Sequence, residues 1–475
     1  MAVAPSKCSS SSSVSPLSEC TVFPESPSIP VAYKLTVSDL PMLSCQYIQK
    51  GVLLPCPPDA LLSLLKDALS RTLVHFPLLA GRLRTDADGY VYVDSDGSGV
   101  PFVHAAAPGL KVGDVLAPQD VPEVVRGFFA MDGAVSYEGH FRPLAAVQVT
   151  ELADGVFVGA TVNHSLLDGT SFWNFFNTWA EIARGCTEIS RPPDSNRFFV
   201  KDSAAVLRFD AGRALAPPKV AAPPLRERIF SFSRRAVVEL KEIANQWKGA
   251  MGEEADMVEV LGKASNDAWK GSGKGRNGTA GLPAPEVSSF QSLCAQIWRS
   301  VTRARRLPAT TKTTTFRMAV NCRHRVSPRM HAEYFGNAIQ SVPATVEVAE
   351  LLRQEVGWAA WLLHQGVAEH WDAAIRGRVE EWERAPRVFP LGNPDGAAIT
   401  MGSSSRFPMY DNDFGWGRPV AIRSGRANKF DGKMSAFPGW DGAGSVDVEM
   451  CLAADTMTRL ERDPEFMQYV TLPQN

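Results

Sequence analysis

The sequence predicts a two-domain α/β protein, and three observations carry this prediction. With 475 residues, 45% of them hydrophobic, the chain can bury two cores, because single cores stop growing beyond roughly 250–300 residues. Strand-like runs and helical periodicity occur in both halves. A stretch at 191–224 contains three Pro-Pro pairs and reads as a connector. We therefore place an N-terminal domain at 19–190 and a C-terminal domain at 225–475.

The N-terminal half has the clearer local patterns. Serine-rich sequence predicts a disordered tail over 1–18, and its lack of arginine argues against a plastid-targeting segment. The leucine-rich segment 59–74 has helical periodicity and stops before Pro77. Strand-like composition marks three further segments, 90–93, 144–149 and 156–162. The last of these is apolar throughout, as expected of a strand covered on both faces.

The C-terminal half begins with a predicted strand over 228–233, whose final Ser233 is positioned to cap the helix that follows. Helical periodicity then fades. Residues 248–285 are rich in Gly, Lys, Ala, Ser and acidic groups, with almost no aromatic side chains. Because such a composition buries little apolar surface, we expect a mobile insertion there.

Charge and composition exclude several classes of protein. The 49 basic and 51 acidic side chains give a net charge of −2, which predicts no nucleic-acid partner. No apolar run is long enough to span a membrane, and no secretory signal opens the chain. The eight cysteines show no C-x-x-C pair or zinc-type spacing with histidine, so we expect no metal site and free thiols. These features predict a cytoplasmic protein.

The most informative local motif is His164-Ser-Leu-Leu-Asp168-Gly, between the apolar run 156–162 and a helical stripe of aromatic residues. A histidine at a strand end can accept a proton near pH 7, since its ordinary pKa is about 6.5. A hydrogen-bonded histidine with only a structural role would also fit. Asp168 stands where the chain turns into the helix, so it could brace the loop or contact a substrate. The aromatic stripe is typical of a buried helix face.

A second motif, Asp413-Phe-Gly-Trp-Gly417, lies near the other end of the chain. The two motifs, with Asn321-Cys-Arg323, Tyr334-Phe-Gly-Asn337 and the stretch 424–433 in the same order and rough spacing, resemble the plant BAHD acyl-CoA-dependent acyltransferases. The likeness extends over about 20–469. The segments 36–51 and 424–433 are most similar to a subgroup containing cuticle-related acyltransferases and a salicylate-pathway lyase.

The resemblance implies two similar domains of mixed β-sheet flanked by helices, like chloramphenicol acetyltransferase, with an active-site channel between them. It also implies that acyl-CoA is a co-substrate, that no cofactor is tightly bound and that the protein is a monomer. In the implied reaction, His164 deprotonates a hydroxyl or amine of a plant metabolite without forming a covalent enzyme intermediate. Asp168 would pair with Arg323, and Asp413, Gly415 and Trp416 would support the site at a distance.

The binding regions are implied more weakly. The basic stretch 424–433 is either a solvated turn-rich surface or a contact for coenzyme A, with Ser424, Arg426 and Lys429 as candidates. By resemblance, the acceptor pocket would include Ser403, Ser404 and Ser405. Hydroxycinnamoyl transferases acting on shikimate or quinate carry a tryptophan in this segment, so its small residues put a shikimate acceptor in doubt.

Two alternatives to acyl transfer stay open at the level of sequence. The first is a lyase that acts on a metabolite conjugate in the same pocket without coenzyme A, as the resemblance to the salicylate-pathway member allows. The second is a non-catalytic accessory protein in which the motifs persist for packing. Substrate turnover without a thioester would favour the first alternative. Full function after substitution of His164 would favour the second.

Overall fold

The computed structural model describes residues 13–26, 30–55, 57–117, 119–196, 198, 203–208, 224–247, 286–439, 442 and 444–471. The strands are β1 (Ser15–Val22), β2 (Ala32–Lys34), β3 (Ile48–Pro55), β4 (Arg82–Thr85), β5 (Val91–Asp94), β6 (Val100–Ala107), β7 (Ala145–Leu152), β8 (Gly155–Val162), β9 (Leu225–Phe232), β10 (Thr313–Asn321), β11 (Ile339–Glu347), β12 (Ile399–Met401), β13 (Ala421–Ser424), β14 (Lys433–Pro438) and β15 (Val446–Ala453). The α-helices are α1 (Leu61–His75), α2 (Val112–Leu116), α3 (Gly169–Ala183), α4 (Arg234–Gln246), α5 (Ser289–Arg305), α6 (Val348–Arg353), α7 (Val356–Ala368), α8 (Asp372–Arg384), α9 (Ala454–Leu460) and α10 (Pro464–Met467).

The first large sheet has the strand order β1-β6-β7-β8-β3-β13. Strands β6 and β7 are parallel, and the other neighbours are antiparallel, so the sheet is mixed. Every residue of β8 is buried, as its continuous apolar sequence predicts. A three-stranded sheet, β2-β5-β4, accompanies this half.

The second large sheet has the order β11-β10-β12-β14-β15-β9. Here β10, β12 and β14 run parallel, while the remaining pairs are antiparallel. Helix α5 packs in this half with most of its residues buried, and its N-terminus is closed by a capping box between Ser288 and Gln291. The predicted fold class, two mixed sheets flanked by helices, is confirmed.

The helices adjoining the site follow the sequence pattern closely. The aromatic stripe of α3 is buried and packs against α1 and the first sheet, which confirms it as core. Helix α4 begins after Ser233, whose Oγ accepts a hydrogen bond from the amide of Ala236 at 3.2 Å. This is the predicted cap, and it satisfies one of the free amides of the first turn.

Two predicted boundaries differ from the structure. Strand β1 begins at Ser15, within the tail predicted for 1–18, because backbone pairing with β6 holds a segment whose side chains are almost all exposed. Strand β13 lies in the predicted C-terminal domain but pairs with β3 of the first sheet. The predicted insertion 248–285 lies outside the described residues, as does most of the connector. No helix in the described ranges is long and apolar enough to cross a membrane.

Candidate active site

The loop between β8 and α3 carries His164, and its backbone is held from both halves of the molecule. The amide of His164 donates to Ser136 Oγ at 3.0 Å. Its carbonyl accepts from Asn337 Nδ2 at 2.9 Å. Asp168 is the N-cap of α3, since its Oδ1 accepts from the amide of Ser171 at 3.1 Å. The histidine therefore stands where the two halves meet, on a backbone fixed at both ends of the loop.

The Asp168 carboxylate faces Arg323 and makes no hydrogen bond with His164. Arg323 Nη1 donates to Asp168 Oδ2 at 2.7 Å and Nη2 donates to Oδ1 at 3.0 Å. Both side chains have an exposed fraction of zero. Arg323 also donates to the carbonyls of Tyr334 and Gly336. The predicted contact is present, and such a two-pronged, desolvated pair fixes the loop geometry.

Asn337 and Asp39 complete the support, and our sequence analysis gave neither a role. Asp39 Oδ1 accepts from both the amide and Nδ2 of Asn337 at 3.1 Å. That same Nδ2 reaches the carbonyl of His164. The available signal was the motif Tyr334-Phe-Gly-Asn337, in which a small polar residue follows two aromatic residues and a glycine. The residues that Asn337 contacts, Asp39 and His164, are too distant from it in sequence for motif spacing to identify them.

The His164 ring is kept neutral by its surroundings. Burial lowers its pKa below the ordinary 6.5, and the positive charge of Lys433 lowers it further. The backbone of His164, the negative charge of Asp168 and the backbone of Leu167 act in the opposite sense. Among the described residues, Nδ1 has no hydrogen-bond partner. A neutral imidazole has one unprotonated ring nitrogen, which can accept a proton.

The Asp413–Gly417 motif forms a tight turn next to α3. Asp413 Oδ1 accepts from the amides of Gly415 at 2.8 Å and Gly417 at 3.0 Å. Both glycines have positive φ, 113° and 119°, which disfavours any side chain. Burial acts to raise the pKa of Asp413, but these amide hydrogen bonds outweigh it, and the pKa is lowered. The turn presents the buried Phe414 to α3.

Phe414 and Trp416 provide the packing of this turn. The Phe414 ring lies edge-on to Trp179 of α3, with centroids 5.1 Å apart. Trp416 stacks on Phe414 at 5.8 Å. Because Asp168 caps the N-terminus of α3, the motif supports the helix that follows the histidine loop, and its own hydrogen bonds do not involve His164.

The three candidates for coenzyme A lie in different environments. Ser424 Oγ accepts from Lys50 Nζ at 2.5 Å. Lys429 Nζ lies 2.5 Å from Glu227 and 3.1 Å from Glu449, with only 8% of its side chain exposed. Arg426 pairs with Asp132 at 2.7 Å but is half exposed, at 51%. Of the three candidates, Arg426 is the one whose cationic side chain is substantially exposed to solvent.

The three candidate acceptor serines follow β12. Ser403 Oγ donates to the carbonyl of Ala436 at 2.9 Å, and Ser404 Oγ accepts from the amide of Arg406 at 3.2 Å. Ser405 is partly exposed beside them. Just before them, an added Cβ on Gly402 would lie 1.9 Å from Lys433 Nζ. The lysine therefore fills the space that a side chain at 402 would need.

No group of three potential metal-ligating side chains occurs in the ranges that the structure describes. The six described cysteines are free.

The sequence comparisons agree on one family. A family model described as Transferase family matches residues 12–467. BAHD acyltransferase DCR of Arabidopsis thaliana is 35% identical over 459 residues, which cover 92% of this chain and 88% of that protein. Uncharacterized acetyltransferase At3g50280, also of Arabidopsis thaliana, is 34% identical and covers 91% of this chain and 94% of its own length.

The structural comparisons agree on the fold. TRI101 of F. sporotrichioides, solved in complex with coenzyme A and T-2, matches with a TM-score of 0.68 at 20% identity. The match covers 92% of this chain and 99% of that one. The family model and the relatives extend along nearly the whole chain, from strand β1 to helix α10. This protein therefore belongs to the plant BAHD acyltransferase family.

Proposed function

We propose that this CoA-dependent acyltransferase moves an acyl group from an acyl-CoA thioester to a hydroxyl or amine of a plant metabolite, with His164 as the general base. The observation that carries the proposal is the placement of His164 at the junction of the two halves. Its backbone is held there by hydrogen bonds with Ser136 and Asn337, and its lowered pKa keeps the imidazole neutral. General bases need this combination of fixed position and unprotonated nitrogen.

The proposed reaction needs one base and no covalent enzyme intermediate. Nε2 of His164 removes the acceptor proton as the acceptor oxygen or nitrogen bonds to the thioester carbonyl carbon. The resulting tetrahedral intermediate collapses, the carbon–sulfur bond breaks and the electron pair leaves with sulfur. The imidazolium returns the proton, so that free coenzyme A and the acylated acceptor are released. A thiolate is a good leaving group. A hydrogen-bond donor to the oxyanion of the tetrahedral intermediate would lower the activation barrier further.

Asp168 has a positioning role in this proposal. Its carboxylate is fully engaged with Arg323, the amide of Ala338 and the first turn of α3. A carboxylate held in this way neither gives nor takes the reacting proton. We assign the same supporting role to Arg323 and, through α3, to Asp413, Gly415 and Trp416.

For coenzyme A, we propose Arg426 as the direct contact with a phosphate, since its guanidinium is half exposed. Lys429 and Ser424 are each held by buried partners. We assign them to fixing the segment from which Arg426 projects. The supporting comparison is TRI101, which shares the fold and was solved with coenzyme A.

The acceptor pocket is proposed to include Ser403, Ser404 and Ser405, which follow the strand β12 beside Lys433. We propose that the enzyme is a monomer, because a single chain supplies the histidine loop together with Arg323 and Asn337, which hold it. The cytoplasmic location remains a prediction from the sequence.

Thiol release tests the proposed function directly. Purified protein is incubated with acetyl-, malonyl- and hydroxycinnamoyl-CoA, each with and without a panel of alcohols and amines, and free coenzyme A is titrated with a thiol reagent. We expect release that requires both substrates, with an equimolar acylated product by mass spectrometry. Turnover of a single conjugate without any thioester would instead identify a lyase.

A further inference from the structure

We propose that Lys433 binds a carboxylate carried by a substrate of this enzyme, which makes it a specificity-determining residue beside the catalytic histidine. The inference deepens the proposed acyl transfer and rests on it. It concerns the class of substrate, whereas the reaction itself is assigned to His164.

The position of Lys433 is set by the second sheet. It is the first residue of β14 and pairs in parallel with Thr400 of β12. Its side chain extends over Gly402, where an added Cβ would lie 1.9 Å from Nζ. Gly402 is itself solvent-accessible. Glycine at 402 thus leaves room for an ammonium group in the segment proposed to line the acceptor pocket.

The neighbouring lysines each have a hydrogen-bond or ion-pair partner, whereas Lys433 has none within the part of the chain that the structure describes. Lys50 donates to Ser424, and Lys429 lies between Glu227 and Glu449. Among the described residues, no hydrogen bond or ion pair reaches Lys433 Nζ, although Glu449 and Cys45 are near enough to influence its charge. Burial raises the pKa of the Cys45 thiol to about 12, so this thiol is neutral and supplies no counter-charge.

Lys433 lies in a crowded environment that still leaves part of the residue exposed to solvent. Protein atoms surround the ammonium closely enough for desolvation to lower its pKa, and the charge of Glu449 acts in the opposite sense. A cation in such a place has lost part of its hydration without gaining a hydrogen bond or ion pair, and an anionic ligand restores the lost interaction.

The same ammonium acts on the catalytic base. Lys433 is among the groups that lower the pKa of His164, so its charge lies within electrostatic range of the imidazole. A substrate whose hydroxyl or amine reaches His164 can therefore place a second group against Lys433. A lysine is a compact, strongly hydrated point charge. Its natural partner here is a carboxylate, whose charge-assisted hydrogen bonds are about twice as strong as neutral ones.

Two substrates can bring that carboxylate to the site. It can belong to the acyl acceptor, which is then a hydroxy acid or amino acid. It can also belong to the acyl group, which is then a dicarboxylic acid attached to coenzyme A through one end. The chemistry at Lys433 is the same in both cases, and matched pairs of ligands separate them.

The test compares acids with uncharged analogues in binding and turnover. For the acceptor, 4-hydroxybenzoate and 12-hydroxydodecanoate are each compared with their methyl esters. For the donor, malonyl-CoA is compared with acetyl-CoA. Each ligand is measured by isothermal titration and in the thiol-release assay, with wild type, Lys433→Met, Lys433→Arg and Gly402→Ala. Lys111→Met is the control, because it removes the same charge from an exposed side chain.

We expect wild type to prefer the charged member of at least one series by tenfold or more. Lys433→Met should abolish that preference, Lys433→Arg should retain part of it, and Gly402→Ala should weaken it by displacing Nζ. Lys111→Met should match wild type. The acceptor and donor series identify which substrate carries the carboxylate.

Equal binding of charged and uncharged ligands in every series would overturn the proposal. So would a preference that survives in Lys433→Met, or an equal loss of turnover with acids and esters alike. Binding is measured without catalysis, so its failure is distinct from a failure of acyl transfer. Selective binding of acids without thiol release would contradict the proposed reaction but would still support a carboxylate-binding site at Lys433.

Discussion

At the scale of single residues, the proposed mechanism makes activity depend on the charge state of His164. Burial and the charge of Lys433 lower the pKa of this imidazole, so its active neutral form persists below the ordinary pKa of about 6.5. We expect kcat/KM to rise with pH through an inflection below 6.5 and to be level by about pH 7. Lys433→Met removes one cause of the lowered pKa, so its inflection should move upward. The pH dependence of kcat/KM in both proteins measures this.

An inflection at or above 6.5 in wild type would contradict this electrostatic environment. So would an inflection that moves downward in Lys433→Met. Lys111→Met serves again as the control, since its exposed charge should leave the profile unchanged.

Asp168 gives the second residue-scale prediction. In Asp168→Asn, Arg323 keeps its charge in a fully buried position and loses the carboxylate that compensates it. Removal of one partner of a buried pair costs about 3–5 kcal/mol. We expect a loss of this size in the free energy of unfolding, measured by urea denaturation. Asp88→Asn, at an exposed turn, is the control, and equal stability of the two variants would show that the pair does not brace the loop.

The residue scale also shows where sequence reasoning stops. The pairing of Asp168 with Arg323 followed from the resemblance to a known family, because both residues stand in recognisable motifs. Asp39 and Asn337 are 298 positions apart, and neither has a chemical signature of its own. In the sequence, Lys433 is only one member of the basic stretch 424–433. Its lack of a partner depends on the folded positions of Lys50, Lys429 and Glu449.

At the scale of structural elements, the Asp413–Gly417 turn should contribute stability through its backbone. Gly415 has a φ of 113°, and an added Cβ would meet only ordinary contacts, at 3.8 Å from Arg184. The cost of Gly415→Ala is therefore conformational, about 1–3 kcal/mol. Thermal and urea unfolding measure it.

Gly109→Ala is the matched control for this turn. An added Cβ there has nothing within 4 Å, and Gly109 is not among the positive-φ glycines. We expect its stability to stay within about 0.5 kcal/mol of wild type. If Gly415→Ala were equally harmless, the turn would not need its left-handed backbone.

The predicted elements show the same mixture of success and failure. Segment 156–162 and helix 59–74 match β8 and α1 to within about two residues, because continuous apolar or helical patterns identified them. The start of strand β1 was missed, since its outward side chains have no apolar pattern. Strand β13 has only four residues, and its pairing with β3 depends on tertiary structure that no local pattern records.

At the scale of the whole molecule, the stretch 424–433 connects the two sheets. It leaves β13 in the first sheet and enters β14 in the second. On the way, Lys429 pairs with Glu227 of β9 and Glu449 of β15. Burial tends to raise the pKa of Glu449, but Lys429 and Lys50 outweigh it and keep the carboxylate ionised.

Lys429→Met should therefore destabilise the molecule strongly. It leaves two largely buried carboxylates without their shared cation, and the expected cost is about 3–5 kcal/mol. The free energy of unfolding, compared with that of Lys111→Met, measures the effect. Coincident unfolding curves for the two variants would mean that this ion cluster does not hold the connection between the sheets.

The two-domain architecture was predictable at this scale, whereas the crossing of β13 between the domains was not. Length, hydrophobic content and the proline-rich stretch at 191–224 are global properties, and they pointed to two cores. The core of the first sheet also takes Phe335, Trp382 and Phe414 from the C-terminal half. Such sharing arises from packing between distant segments, which composition does not describe.

The most direct test of the proposed mechanism is the rate of acyl transfer in His164→Ala, measured by thiol release in a single turnover with the acyl-CoA and acceptor that wild type uses best. His75→Ala, at the exposed end of α1, controls for the loss of a histidine. Loss of a general base should slow the reaction by about 10²–10⁴-fold, with coenzyme A binding retained. A rate within about tenfold of wild type would contradict the assignment of His164 as the base.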